Sequence, residues 1–297
     1  MKKLIPFCLI AILLTASCQT VVDPDNLLDT DERILITGFL SPQDTVLRVN
    51  VTRALPSIGT PFLRNNNEAK EAKFLIEDAI VYISNEIGYT TTLSYSEENK
   101  TYLADTSTLA IIPEQNYFLN VIVNDKQFTA SCTIPKKVVE INETVNIRNG
   151  QYGGKTADIN LSFGDIAEQR NYYALGGTVT ITREFEDQEP QINTNNLNCG
   201  TDELLSDSLD DGIILNGNCL VNVFDIPEDV SYKMTLQVAN VEEILFQHLR
   251  TASTNNDIDS GNPFIEYAIS PNNINEEGGT GIFAGYQLTE KTIDIAF

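Results

Sequence analysis

The residues of this chain best suited to chemistry are carboxylates. Asp202, Glu203, Asp207, Asp210 and Asp211 crowd the stretch between Cys199 and Cys219. Hard oxygens in that number suit calcium, which takes about six to eight oxygen ligands. The spacing is not that of an EF-hand, and a solvated run of charge is the simpler reading. Asp202, Asp207, Asp210 and Asp211 are therefore the weak calcium candidates, and no other metal or cofactor is expected. His248 is the sole histidine. A Ser-His-Asp triad would have to use it, yet it falls on the apolar face of a predicted helix, where a packing role is expected. The chain has no Gly-x-Ser-x-Gly elbow, and a lone histidine is too few for the usual zinc sites. These absences argue against hydrolase, metalloprotease and oxidoreductase chemistry, and no catalytic residue is assigned. A glycosidase built on two carboxylates stays open as an alternative, because acids are plentiful and their separation cannot be read from sequence.

Two glycine-rich stretches resemble nucleotide loops and fail on spacing. Gly150 to Thr156 has Asn149 where a phosphate loop needs its first glycine. Gly279 to Gly285 sets its last glycine one residue too far for a dinucleotide loop. Both read as turns, the second leading into a strand.

The N-terminus carries a different chemistry. Lys2 and Lys3 precede an apolar run from Leu4 to Leu14, followed by Thr15-Ala16-Ser17-Cys18. The run is too short to cross a bilayer as a helix, which takes about 20 residues. Small residues before a cysteine resemble the bacterial lipoprotein signal peptide, with Thr15 where leucine is usual. The resemblance implies removal of residues 1–17 and lipidation of Cys18. An export signal in turn implies an oxidising compartment. Of the cysteines left, Cys199 and Cys219 frame one polar segment and are the natural disulfide pair. Cys132 alternates with Phe128, Ala130 and Ile134 and reads as a buried thiol.

Charge narrows the partners. The chain has 19 basic and 42 acidic residues. Loss of Lys2 and Lys3 leaves 17 against 42, a net charge of −25. Such a surface should repel nucleic acid and anionic lipid, so an acyl anchor rather than charge would hold the protein to a membrane.

These residues must be positioned by a β-rich scaffold. Residues 18–32 form an acidic tether. Beyond it the dominant period is two: Leu47, Val49 and Val51; Tyr117, Leu119, Val121 and Val123; Ala157, Ile159, Leu161 and Phe163; Tyr232, Met234, Leu236 and Val238. That pattern marks half-buried antiparallel strands. Two β-sandwich-like domains are expected in an all-β, mainly antiparallel fold. The first, at 33–135, is immunoglobulin- or transthyretin-like and ends at Pro135. The second, at 136–297, carries one packed helix, capped by Asn240 and running to about Thr251. Gly176-Gly177 suggests a bulge. The stretch 184–218 reads as an acidic insertion or long loop.

Three stretches together resemble the DUF4249 lipoproteins of Bacteroidetes. They are Arg33 to Leu40; Asp78 to Ile83 with Tyr117 to Val121 and Thr129 to Pro135; and Asn262-Pro263-Phe264, Asn272-Asn273-Ile274 and Gly278 to Tyr286. The resemblance implies an outer-membrane lipoprotein, at the cell surface or the periplasmic face, beside a TonB-dependent transporter. It assigns no chemistry. The expected function is that of a non-catalytic accessory or ligand-capturing subunit; the alternatives are a cell-surface glycan hydrolase or a structural, adhesive module. Interface cores are depleted in charge, so Phe62, Phe264, Tyr267 and Tyr286 are the candidate partner surface.

Overall fold

The computed structural model describes residues 33–54, 74–150, 153–185, 188–207, 211–224, 230–258 and 268–297. Cys18, the tether, Phe62, Asp210, Phe264 and Tyr267 lie outside the described residues.

Alternation becomes strand wherever one face can be buried. In β2 (Val46–Ala54), Leu47, Val49 and Val51 are buried, while Arg48 and Asn50 are exposed. The same rule holds in β6 (Asn116–Val123), β9 (Lys155–Gly164) and β14 (Val230–Val241). Each such aliphatic side chain, fully buried, contributes about 1.5–3 kcal/mol. The hairpin from β6 to β7 (Lys126–Thr133) turns at Asn124 and Asp125, both at positive φ. A two-residue turn of that kind matches the twist of the flanking strands.

The described residues form one long mixed sheet and one small antiparallel sheet. The long sheet starts at β11 (Gln188–Asn196) and β10 (Tyr172–Phe185), then runs through β14 to β15 (Gly279–Ile295). From β15 it crosses to β1 (Arg33–Leu40), β2, β5 (Thr101–Asp105), β4 (Thr90–Ser96) and β3 (Ile80–Asn85), and ends at β6 and β7. The small sheet is β13 (Ile214–Val223), β9 and β8 (Ile141–Asn149). β15 is the join: its first half pairs in parallel with β1, and its second half pairs antiparallel with β14.

Two cores result. One gathers Ile36, Leu47, Val81, Tyr117 and Phe128 from the strands before Pro135, and takes in Ile274 and Phe283 from the far end of the chain. The other lies between β10 and β14 on one side and β9 and β13 on the other, around Phe163, Tyr173, Met234 and Leu236. The described residues are thus mostly β, in two sheets, with one packed helix, α1 (Glu243–Ile258).

Several local expectations change. The stretch 184–218 is not a loop. It holds β11, a short 3-10 turn at Gly200–Glu203, β12 (Leu204–Ser206) and the start of β13. Gly176 and Gly177 pair with β14 in regular register, without a bulge. Gly177 is needed for a close approach instead: a Cβ there would lie 2.3 Å from the Thr235 carbonyl. Gly279 to Gly285 is not a turn before a strand but the strand itself, seated against β1. Asn240 belongs to β14, and its side chain donates to the Lys136 carbonyl rather than capping α1. The helix begins after Glu242, whose carbonyl accepts from the Phe246 N–H. Between β8 and β9 the Gly150 N–H donates to the Gly154 carbonyl, and Lys155 and Thr156 already belong to β9.

Candidate functional site

Of the four expected partner residues, Tyr286 is described, and it lies in a groove of about 340 Å³. β1 supplies Thr37 and Phe39, β2 supplies Arg48 and Asn50, and the β1–β2 turn supplies Asp44. Alternation explains the lining. Residues that face away from the core on β1 and β2 face the groove, so Phe39 is over a third exposed while its neighbours Gly38 and Leu40 are tucked in. The Tyr286 hydroxyl donates to Asp44 Oδ1 at 3.0 Å, and the Ser41 N–H donates to Asp44 Oδ2 at 2.8 Å. Burial pushes the Asp44 carboxyl above its usual range, against the Tyr286 and Ser41 hydrogen bonds and the Arg48 charge. Burial, then the Asp44 charge, pushes the Tyr286 phenol up to about 12. The groove therefore offers a cation, a carboxylate, an amide and two aromatic rings. Tyrosine and arginine are the residue types that most often anchor interfaces.

A second site lies where the end of β7, β15 and the start of α1 meet. Glu242, between β14 and α1, accepts the Thr133 N–H at 2.7 Å and the Gly285 N–H at 2.6 Å, one on each oxygen. One carboxylate thus pins the end of β7 to the middle of β15. Burial raises its pKa to about 7 despite those two bonds. Glu242 borders a cleft of about 490 Å³ that Glu114, Lys136, Arg170 and Glu243 also line. A carboxyl titrating near neutrality is what a general acid requires. Both oxygens of Glu242, however, are already held by backbone donors.

The calcium candidates separate. Asp202 accepts from the Asn218 backbone and side chain, away from the other acids. Asp207 and Asp211 instead meet Asp165, which follows β9, with one oxygen from each carboxylate within 4.8 Å of the others. Nothing in the sequence around Asp165 marks it as part of this group; it reads as the polar end of a strand. Glu242 is equally unmarked, since its partners are far away in the chain.

The remaining expectations concern cysteine and histidine. Cys199 and Cys219 form a disulfide. Cys132 is buried and free in the first core, and burial raises its thiol pKa well above the ordinary value. His248 is half-buried on α1, with Nδ1 2.7 Å from the Ser270 hydroxyl. Among the described residues no carboxylate hydrogen-bonds the ring, so a triad is not assembled there.

Among the described residues, no helix is long and apolar enough to cross a membrane. The family model described as a domain of unknown function, DUF4249, matches residues 20–292. No curated protein sequence matches the chain.

Proposed function

The chain belongs to the DUF4249 family, and we propose that it is a non-catalytic outer-membrane lipoprotein, an accessory or ligand-capturing subunit of a TonB-dependent transporter. Cys18 would carry the lipid, and residues 18–32 would set the distance to the membrane. One observation carries the reading. The segment that follows the tether, β1, is hydrogen-bonded on both edges, to β15 and to β2. Its outer face also lines the Tyr286 groove. Anchor, scaffold and binding surface would therefore share one strand near the middle of the long sheet, so a load on the tether enters a strand that neither edge can easily release.

The groove suits a polar partner segment better than a small apolar ligand. Its volume sits at the low end of the range for small-molecule pockets, about 300–1,000 Å³, and its polar groups compete well for backbone and amide hydrogen bonds. The test is Cys18→Ser. The variant should leave the membrane fraction or fail to mature, and the wild-type N-terminus should carry acyl mass. Unchanged fractionation with an unmodified N-terminus would refute the anchor.

The glycan-hydrolase reading would rest on Glu242. Its backbone bonds commit it to joining strands, and hydrolysis of a surface glycan lost in Glu242→Gln would be needed to revive that reading.

A further inference from the structure

We infer that Asp165, Asp207 and Asp211 form a calcium site. The three carboxylates come from three places: the end of β9, the end of β12 and the approach to β13. Their ligand oxygens lie within 4.8 Å of one another. That separation is twice a Ca–O bond of about 2.4 Å, so one ion can reach all three. The donor set is hard oxygen only, which selects against zinc and copper.

The independent sign is Asp207. It is only 6% exposed. Its Oδ2 accepts the Asn171 N–H at 3.0 Å, while its Oδ1 is buried with no hydrogen-bond partner. A buried carboxylate oxygen without a partner is costly. Here it belongs to a carboxylate that already has two others within reach.

The neighbours orient the group rather than neutralise it. The Glu168 N–H donates to both oxygens of Asp211, at 3.1 and 2.9 Å. Tyr173 Oη donates to Asp165 Oδ1 at 2.6 Å, and the Gly212 N–H donates to Asp165 Oδ2 at 2.9 Å. Carboxylate oxygens carry spare lone pairs after one such bond. Among the described residues, the ion pairs are Lys136–Glu114, Arg148–Asp158 and Lys291–Glu143, and none reaches this group. Among the described residues, no basic side chain is therefore paired to these three carboxylates. Calcium tolerates irregular geometry and completes its shell with water or carbonyl oxygens, whereas magnesium demands a near-ideal octahedron. A loop-built site of this kind suits calcium at the affinity of extracellular modules, with Kd on the order of 10⁻⁴–10⁻³ M.

Binding would tie the ends of β9, β12 and β13 together. It would also brace Asn171, whose side chain reaches the Ile166 and Gln169 carbonyls and Asn240. The experiment is calcium titration of chelator-stripped, full-length mature protein at fixed ionic strength, read by calorimetry and by melting temperature. One ion should bind with a Kd below a few millimolar by the ranges above and raise the melting temperature. Asp207→Asn should abolish both effects, and the exposed Asp211→Asn should weaken binding roughly tenfold or more, since affinity follows ligand charge count. Asp202→Asn should bind like wild type. Should Asp207→Asn fail to fold, Asp211→Asn decides. Stabilisation by calcium and magnesium alike that survives in Asp211→Asn, or no heat of binding in wild type, would overturn the assignment.

Discussion

Replacing Glu242 by glutamine should change how stability depends on pH more than it changes stability itself. The carboxyl holds the Thr133 and Gly285 N–H groups, and burial raises its pKa from 4.5 to about 7. A raised folded pKa means that the native state binds this proton more tightly than the unfolded chain does. Its stabilising contribution is complete below about pH 4.5 and is lost as pH rises through about 7. Integrated from pH 5.5 to 8, that shift removes about 2 kcal/mol. Glutamine cannot titrate, and it presents an amide donor to one of two backbone donors, so the variant should be less stable throughout. The gap between wild type and variant should narrow by about 2 kcal/mol between pH 5.5 and 8. Urea denaturation of both proteins at several pH values isolates this difference from the other acids and from His248, which titrate in both. A constant gap would refute the claim that Glu242 is the buried, titrating link between β7 and β15. A gap that widens with pH would mean that the two N–H bonds outweigh burial.

Other perturbations follow from single contacts. Replacing both Cys199 and Cys219 by serine should cost about 3 kcal/mol for a loop of this size in the chain-entropy model, seen as an earlier urea midpoint; their sequence separation is 20. Gly281 has φ of +128°, and a Cβ there would lie 1.9 Å from the Ile36 carbonyl. Gly281→Ala should therefore cost roughly 3 kcal/mol by forcing β15 from β1, whereas Gly176→Ala, with open space around it, should change the melting temperature little. Tyr286→Phe removes the bond to Asp44 and should cost about 1 kcal/mol without unfolding the sheet; circular dichroism checks the fold.

What the sequence revealed of the fold tracks burial. In β2, β6, β9 and β14 one face is core and the other solvent, so Leu47, Leu119, Ile159 and Met234 announce themselves by alternation. β11 has no such signal. It is an edge strand of asparagine, glutamine and a proline, and its Ile192 is 63% exposed. β13 hides for another reason: its inward positions include Gly217 and Cys219, too small to read as a hydrophobic stripe. The β1–β15 pairing joins opposite ends of the chain, and no local pattern encodes it. The acidic group was half legible. Asp207 and Asp211 stand out in a crowded stretch, whereas Asp202 lies in the same stretch but bonds Asn218 instead, and Asp165 carries no such signal. Carboxylate clusters of this kind are assembled by strand register, which is a property of the folded sheet. Tyr286 was legible as an aromatic near a glycine-rich stretch; its partner Asp44 was not.

The role proposed for this protein is that of the anchored subunit of a transporter. The most direct measurement is affinity purification of the native, tagged protein from outer membranes solubilised in mild detergent, with mass spectrometry of what is retained. Cys18 should be acylated and a large β-barrel transporter enriched with the protein, with less retained when Phe62 or Tyr286 is substituted in a chain that still folds. Recovery of a lone monomer, with no transporter enriched and no acyl group, would contradict it.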